Sequence, residues 1–381
     1  MPGAGSAPGW ILGVFGDGLG ISPGLYLALL YAAIAAWAAF ALLGRELETP
    51  AVWVLIGVLV GLFVLAPPLL SLDAFSYISY GRLGVDGLNP YEHGPAALPG
   101  DEVASRVEDF RFAVSVYGPL FTVLSYPLGA LGAGAALWSL KVVAGLSVVA
   151  IAGLTARLAR LRGLPAVPAA AFVALNPLVL VHVVGGAHND GLMVAVALAG
   201  ILAATAGRPL LGGAALVAAA AVKAAAALYL PFALLGAPQR LRLLCGAVAA
   251  AVLIGGAALW LFGPEVATAL GVAGENQGTV SRWSVPGTLA RVLGLDVDPI
   301  RYALAVAYVA AVLGLLIWVL RGADWIRAAG WAALGLLLAT AWLVPWYLIW
   351  VLPLAAVSRD RALIAATVLL TAFQAINAVP V

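Results

Sequence analysis

Residues 51–95 read AVWVLIGVLVGLFVLAPPLLSLDAFSYISYGRLGVDGLNPYEHGP. The first twenty or so positions are apolar throughout, the length a helix needs to cross a bilayer's hydrocarbon core. A carboxylate, Asp73, follows within three residues of the end of that run. Tyr77 and Tyr80 stand at i+4 and i+7, so a helix starting at Asp73 carries all three on one face. Gly81, Gly84, Gly87 and the Asn89–Pro90 pair predict that this helix breaks into turns. Between Ser71 and Gly118 lie seven of the 17 acidic residues, and Asp73 opens this polar interval. A carboxylate with two tyrosines just outside a membrane surface predicts a site.

The rest of the composition fits that reading. The 381 residues are 64% hydrophobic and only 9% charged, with mean hydropathy +1.08; a soluble domain carries about 25% charged residues. Many continuous apolar runs of membrane-spanning length predict an all-α polytopic integral membrane protein. The same continuity excludes a β-barrel, whose strands alternate. A net charge of +2 gives no sign of nucleic acid as a partner, and the bilayer is the partner it does imply. The single Cys245 excludes a disulfide framework and any CxxC motif. The first ten residues, MPGAGSAPGW, lack a basic stretch and are not expected to be a cleavable signal peptide.

Expected spans are 21–43, ending at Arg45, then 51–70, 135–156, 165–184, 191–206, 243–262, 302–320 and 362–378. Residues 9–20 are too short and Gly-rich to cross, and 119–133 reads as interfacial or re-entrant. Segments 209–237 and 328–357, the latter interrupted by Pro345 and Pro353, are too short for two full spans and predict pairs of broken helices. The total is roughly 10–12 spans in a single transmembrane domain, 1–381, at about twenty residues each. Basic residues cluster at 157–162, 208, 240–242, 321–327 and 359–361, which the positive-inside rule places in the cytoplasm. The long loops 71–118 and 263–300 then face outward, and with them Asp73, His188 to Asp190, Arg282 and Trp346. The expected location is the plasma membrane, multi-pass, with an extracytoplasmic site.

Each candidate residue has two readings. Asp73 is either a general base for a hydroxyl or a helix N-cap. No DxD, DE or DD pair stands beside it, so a two-carboxylate glycosidase arrangement is not supported. Lys223, one of two lysines, lies inside AAAAVKAAAALYLP. A lysine at membrane depth costs about 2.5–3.5 kcal/mol and is normally paired or functional. It either binds an anionic group such as a lipid phosphate or pairs with Asp73 or Asp190. Lys141, near a span end, is expected to snorkel. In NPLVLVHVVGGAHNDGLM, Asn189 and Asp190 either cap the next helix or join His188 at sugar hydroxyls, while His182 reads as a hydrogen-bonded packing residue. In GENQGTVSRWSVPG, Arg282 suits phosphate and Trp283 either stacks on a sugar or anchors the interface. Trp346 and Tyr347 also fit an aromatic belt, but Pro345 suggests a break facing a cavity. Three histidines, one of them His93 in the first loop, supply no zinc ligand set.

DAFSYISYGRLGVDGLNPYEHGP, YGPL at 117–120, NPLVLVHVVGGAHNDGLM, Lys223 and PWYLIW at 345–350 occur in this order. Together they resemble the polyprenol-phosphate-mannose-dependent alpha-1,6-mannosyltransferases of the actinobacterial cell envelope, in the GT-C superfamily. The resemblance implies a GT-C-type fold, an outward-facing site, Asp73 as catalytic base and a polyprenyl-phosphate sugar donor in place of a nucleotide sugar. Lys223 and Arg282 become candidates for the donor phosphate. Tyr77, Tyr80, Asn89, Tyr91, Tyr117, His188, Asn189, Asp190, Trp283, Trp346 and Tyr347 become candidates for the sugar and the acceptor, a glycolipid or mannan. No cofactor is expected, and the reading requires no divalent metal. The chain looks shorter than typical members, which leaves the branch and acceptor open. Competing readings are transfer of another sugar (arabinofuranose, glucose or galactose) and, outside enzymes, a lipid or sugar transporter or flippase. Against transport stand the long acidic first loop and the lack of an inverted repeat.

Overall fold

A backbone surrounded by hydrocarbon must pair its N–H and C=O groups within its own segment, and a helix does that. The computed structural model of the chain describes residues 22–43, 49–275 and 278–378, and among them there is no strand. In chain order, α1 (Pro23–Leu43) and α2 (Thr49–Leu65) precede α3 (Asp73–Val85). After the first polar loop come α4 (Pro119–Gly129), α5 (Ala133–Leu161), α6 (Ala166–Ala174) and a π-helical turn at Val179–Val184. Next are α7 (Asp190–Thr205), α8 (Pro209–Val222), α9 (Tyr229–Gly236) and α10 (Arg240–Phe262). The chain continues through α11 (Thr268–Glu275), α12 (Val285–Leu293), α13 (Val297–Leu320), α14 (Trp325–Ala339), α15 (Leu352–Val357) and α16 (Arg361–Gln374). The expectations for residues 9–20, Arg45, Asn276 and Gln277 fall outside the described residues.

Among the described residues four helices, α1, α5, α10 with the turn after it, and α13, are long and apolar enough to cross a membrane. Seven further apolar helices are shorter, at 10–17 residues. The 24 residues of α13 rise about 36 Å at 1.5 Å each, more than the ~30 Å hydrocarbon core. Its Val306 and Leu313, like Leu253 and Trp260 of α10, are exposed large apolar side chains. An apolar surface of this kind marks contact with lipid.

Three expectations change on contact with the fold. α3 does not break at Gly81 or Gly84 but runs through both to Val85. At Gly81 the missing side chain serves a helix crossing: a Cβ there would lie 2.1 Å from the Ser125 carbonyl oxygen of α4. Small residues let backbones approach this closely. The segment 165–184 is not one continuous span. α6 stops at Ala174, because Pro177 cannot continue the ladder and restricts Asn176 before it. The Asn176 side-chain oxygen instead accepts from the amides of Leu178 (3.0 Å) and Val179 (3.2 Å), starting the π turn. Finally, Lys141 does not snorkel. Its side chain is fully buried, and Nζ donates to the Gly185 carbonyl at 2.9 Å and the Pro67 carbonyl at 3.4 Å.

The broken pairs are present. Val222 ends α8, Lys223 is extended (φ −153°, ψ 125°), and a 3-10 turn, Ala224–Leu228, leads into α9. After α14 the chain passes through a 3-10 turn, Pro345–Trp350, into α15. Three of the basic clusters meet. Arg162 pairs with Asp324 and donates to the Val357 carbonyl (2.7 Å), while Arg327 pairs with Asp360 (2.7 Å) and Arg359 reaches the Arg162 carbonyl. The two polar loops meet as well: Asn89 donates to the Phe262 carbonyl (2.9 Å) and Thr268 to the Tyr91 carbonyl (3.1 Å).

Candidate active site

Asp73 is the first residue of α3, and its side chain makes no capping bond; the N-cap position is Leu72. The helix start places the carboxylate where the macrodipole favours negative charge. Its side chain is 34% exposed, and Oδ2 lies 3.3 Å from Nδ1 of His188, whose side chain is wholly enclosed. Burial pushes the Asp73 carboxyl up, but the His188 contact and the charges of His188 and Lys223 outweigh that and hold it below the usual carboxylate range.

Aromatic rings wall this carboxylate. The Tyr77 ring meets Tyr117 and Phe121 edge-on, each at 4.9 Å between centroids. The Tyr77 hydroxyl points to the Asn189 side-chain oxygen at 3.4 Å, and Tyr80 donates to the Ala113 carbonyl at 2.9 Å. On the other side, Trp346 stacks on the His188 ring at 3.7 Å, with Tyr347 next to it and Tyr347 stacked on Trp350 at 4.1 Å. The Pro345 break therefore turns its aromatic residues toward the Asp73 region.

Beside these rings the sequence left Lys223 with two fates, and the fold shows a pair. Lys223 Nζ lies 2.9 and 2.8 Å from the two carboxylate oxygens of Asp190. The Trp350 indole donates to the same carboxylate at 2.7 Å. Asp190 is fully buried while the lysine side chain keeps 16% exposure, and the ammonium stands 4.8 Å from the Tyr347 ring. Neither Asn189 nor Asp190 makes a side-chain cap on α7. Their side chains face inward, and the Asn189 amide nitrogen is buried with no hydrogen-bond partner.

Other candidates lie elsewhere. Asn89 and Tyr91 hold the first loop onto the end of α10: Asn89 reaches Phe262, and the buried Tyr91 donates to the Tyr117 carbonyl at 2.9 Å. Arg282 is exposed, 5.5 Å from the Trp283 ring, which also carries Arg291 at 4.6 Å. Among the described residues Arg282 forms no ion pair with the Asp73 group. The partners of two residues are not those that their sequence neighbours indicate. Nothing local to PWYLIW marks Trp350 as the donor to a carboxylate 160 positions away. His182 was expected to be hydrogen-bonded, yet both its ring nitrogens are buried without a partner. Among the described residues no group of three or more His, Cys, Asp or Glu side chains gathers as a metal site.

With this geometry in place, comparison with known proteins gives the family. Residues 11–239 match the family described as alpha-(1->6)-mannopyranosyltransferase, N-terminal domain. The chain belongs to the alpha-(1->6)-mannopyranosyltransferase family. Alpha-(1->6)-mannopyranosyltransferase A of Mycobacterium tuberculosis is 30% identical over 334 residues, 80% of this chain and 64% of that protein. A second alpha-(1->6)-mannopyranosyltransferase of the same organism is 35% identical over 144 residues, 36% of this chain and 24% of that one. Alpha-(1->6)-mannopyranosyltransferase A of Corynebacterium glutamicum is 29% identical over 174 residues, 44% of this chain and 35% of the relative. The chain spans less than two thirds of the length of these relatives. The family match includes Asp73, His188, Asp190 and Lys223, while Arg282, Trp346 and Tyr347 lie beyond it. The family read from the motifs is the one the comparison returns.

Proposed function

We propose that this chain is an inverting glycosyltransferase that moves mannose from polyprenyl-phosphate mannose to a mannan or glycolipid acceptor, forming an alpha-1,6 linkage. One observation carries the reading. The Asp73 carboxylate, in the family-matched part of the chain, is partly open to solvent while the residues that follow it, from Ala74 to Gly81, are buried. A carboxylate held ionised at the edge of an aromatic pocket can take a proton from a hydroxyl.

In this reading Asp73 accepts the acceptor's hydroxyl proton as that oxygen attacks the anomeric carbon. The bond from that carbon to the phosphate oxygen breaks, and polyprenyl phosphate leaves with the electron pair. One displacement turns a beta-linked donor into an alpha-linked product. Lys223 lies close enough for its charge to act on Asp73. Lys223 offers positive charge to the leaving phosphate within the site, and the exposed Arg282 of the second polar loop is assigned to the same phosphate as it binds. Trp346 and Tyr347, both half-buried, supply ring faces for the sugars, while the buried Tyr77, Tyr80 and Tyr117 pack behind the carboxylate and shape its pocket, and Trp283 is left to the second polar loop. The site faces outward, because the basic clusters that meet at Arg162 and Asp360 mark the cytoplasmic end.

Purified protein given radiolabelled polyprenyl-phosphate mannose and short alpha-mannosides should form a labelled product extended by one residue. Labelling from an arabinofuranose or glucose donor, with none from mannose, would move the chain to the second reading. Excess EDTA should leave initial rates nearly intact, since two side-chain cations are assigned to a monophosphate. Inhibition reversed by magnesium or manganese would show that a metal takes part.

A further inference from the structure

His188 stands beside the proposed base but is not presented to a substrate. Its side chain has no exposed surface, whereas Asp73 keeps 34%. One face of the ring is covered by Trp346, at 3.7 Å and 19° between planes. The edge bearing Nδ1 meets Asp73 Oδ2 at 3.3 Å. The Nε2 edge is buried as well, without a hydrogen-bond partner, so a sugar hydroxyl meets no exposed edge of the ring.

The backbone makes this seat. From the π turn the chain passes Gly185 and Gly186, then Ala187 in the left-handed region (φ 57°), and the His188 amide returns to the Val183 carbonyl at 3.0 Å. A left-handed alanine is uncommon and persists only where the surroundings impose it. At Gly186 a Cβ would come within 2.9 Å of His188 Cδ2 and 3.0 Å of Nε2. The GGAH run is therefore built to hold one ring in one place.

We propose that His188 is a positioning residue for Asp73: it fixes Oδ2 so that the second carboxylate oxygen faces the acceptor hydroxyl. The inference rests on the reading of Asp73 as base. It withdraws His188 from the sugar contacts and gives it to the carboxylate. Fixing one oxygen removes rotation about the carboxyl bond, and the proton then arrives at a single defined atom. Misplacement of a reacting group by about 1 Å costs on the order of 100-fold in rate. The other titratable groups facing this pair are Tyr77 and Tyr80 of α3, Tyr117 before α4, His182 of the π turn, Asp190 of α7, Lys223 after α8 and Tyr347.

The test uses the full chain with His188→Leu, His188→Gln and Gly186→Ala. His188→Leu should lower kcat on the order of 100-fold, with donor and acceptor KM held within about twofold. His188→Gln, which keeps a donor at similar reach, should recover part of the loss. Gly186→Ala should fall between, because it displaces the ring without changing its chemistry. A rise in acceptor KM in place of the kcat loss would make His188 a substrate contact and overturn the proposal. A second measurement does not depend on turnover: the infrared titration of the Asp73 carboxyl, identified by its loss in Asp73→Asn. In His188→Leu its midpoint should move up toward the ordinary carboxylate range. An unmoved midpoint overturns the proposal whatever the rate. If the midpoint moves but Asp73→Asn still transfers mannose, the contact stands and the reading of Asp73 as base fails.

Discussion

At the scale of the residue, the decisive group is one carboxylate with an asymmetric environment. Asp73 touches an enclosed histidine on one side and solvent on the other. Asp73→Asn keeps the shape of the side chain but cannot take a proton, so transfer should fall by at least about 100-fold. Detergent stability should change little, and retention of more than a few per cent of turnover would remove the residue from this role. A second carboxylate in the same loop predicts a pH effect on stability. Burial raises Asp101, but amide bonds from Ala104 (2.8 Å) and Val103 (2.9 Å) and the Arg82 guanidinium outweigh it and hold the carboxyl low. A carboxyl lowered on folding contributes stability that is present above its unfolded value, about 3.9, and lost as pH falls through the folded one. Protease protection of the first loop should therefore hold from neutral pH down to about 4 and fall below it, and Asp101→Asn should lose that acid transition.

At the scale of the element, broken helices do what continuous ones cannot. A span that stops at Val222 and restarts after Lys223 lets an ammonium leave the helix surface and reach Asp190 at the start of α7. The Pro345–Trp350 turn brings an indole donor to the same carboxylate. Removing one partner leaves the other charge buried, at a cost of about 3–5 kcal/mol. Lys223→Met should thus lower the melting temperature in detergent clearly, by ten degrees or so at roughly 2–4 °C per kcal/mol. Lys223→Met with Asp190→Asn should recover much of that loss but not donor affinity. If the single variant is as stable as the parent, the pair contributes nothing to the fold and the lysine is free for a phosphate. The same logic explains Gly81, which permits α3 to cross α4 at backbone contact and so fixes the helix that carries Asp73.

At the scale of the whole molecule, polar and charged side chains gather in two assemblies. Arg162, Asp324, Arg327, Arg359 and Asp360 gather in one network, and the polar loops dock on each other through Tyr91, Phe262 and Thr268. If the basic network is cytoplasmic, cysteines at Ser105 and Thr279, both exposed, should react with an impermeant maleimide on intact cells. The background needs Cys245→Ala, because that cysteine is itself exposed. A cysteine at Gln239, exposed at the turn before α10, should react only after lysis, whereas the neighbouring Ala237 is buried and unsuited to labelling. Labelling in the opposite order inverts the topology and removes an outer-leaflet donor from the proposal.

What the sequence determined by itself is what depends on composition and local order. Continuous apolar runs require helices in lipid, Pro345 and the shortness of 209–237 announce breaks, and the motifs from Asp73 to Trp350 carry the family. The helical start at Asp73 was legible because apolar run, carboxylate and tyrosines follow one another within a few turns. The tertiary structure alone decided how those groups pair. Asp73 and His188 are separated by more than a hundred positions, as are Asp190 and Trp350, and no local pattern states which carboxylate receives which cation. Nor could spacing show that Gly81 and Gly84 sit inside a helix, because a glycine at a crossing and a glycine at a turn read alike until the opposing backbone is in place. Lys141 was misread for the same reason. Its neighbours in sequence allow it to reach water, and only the packed carbonyls of Gly185 and Pro67 make burial the lower-energy choice.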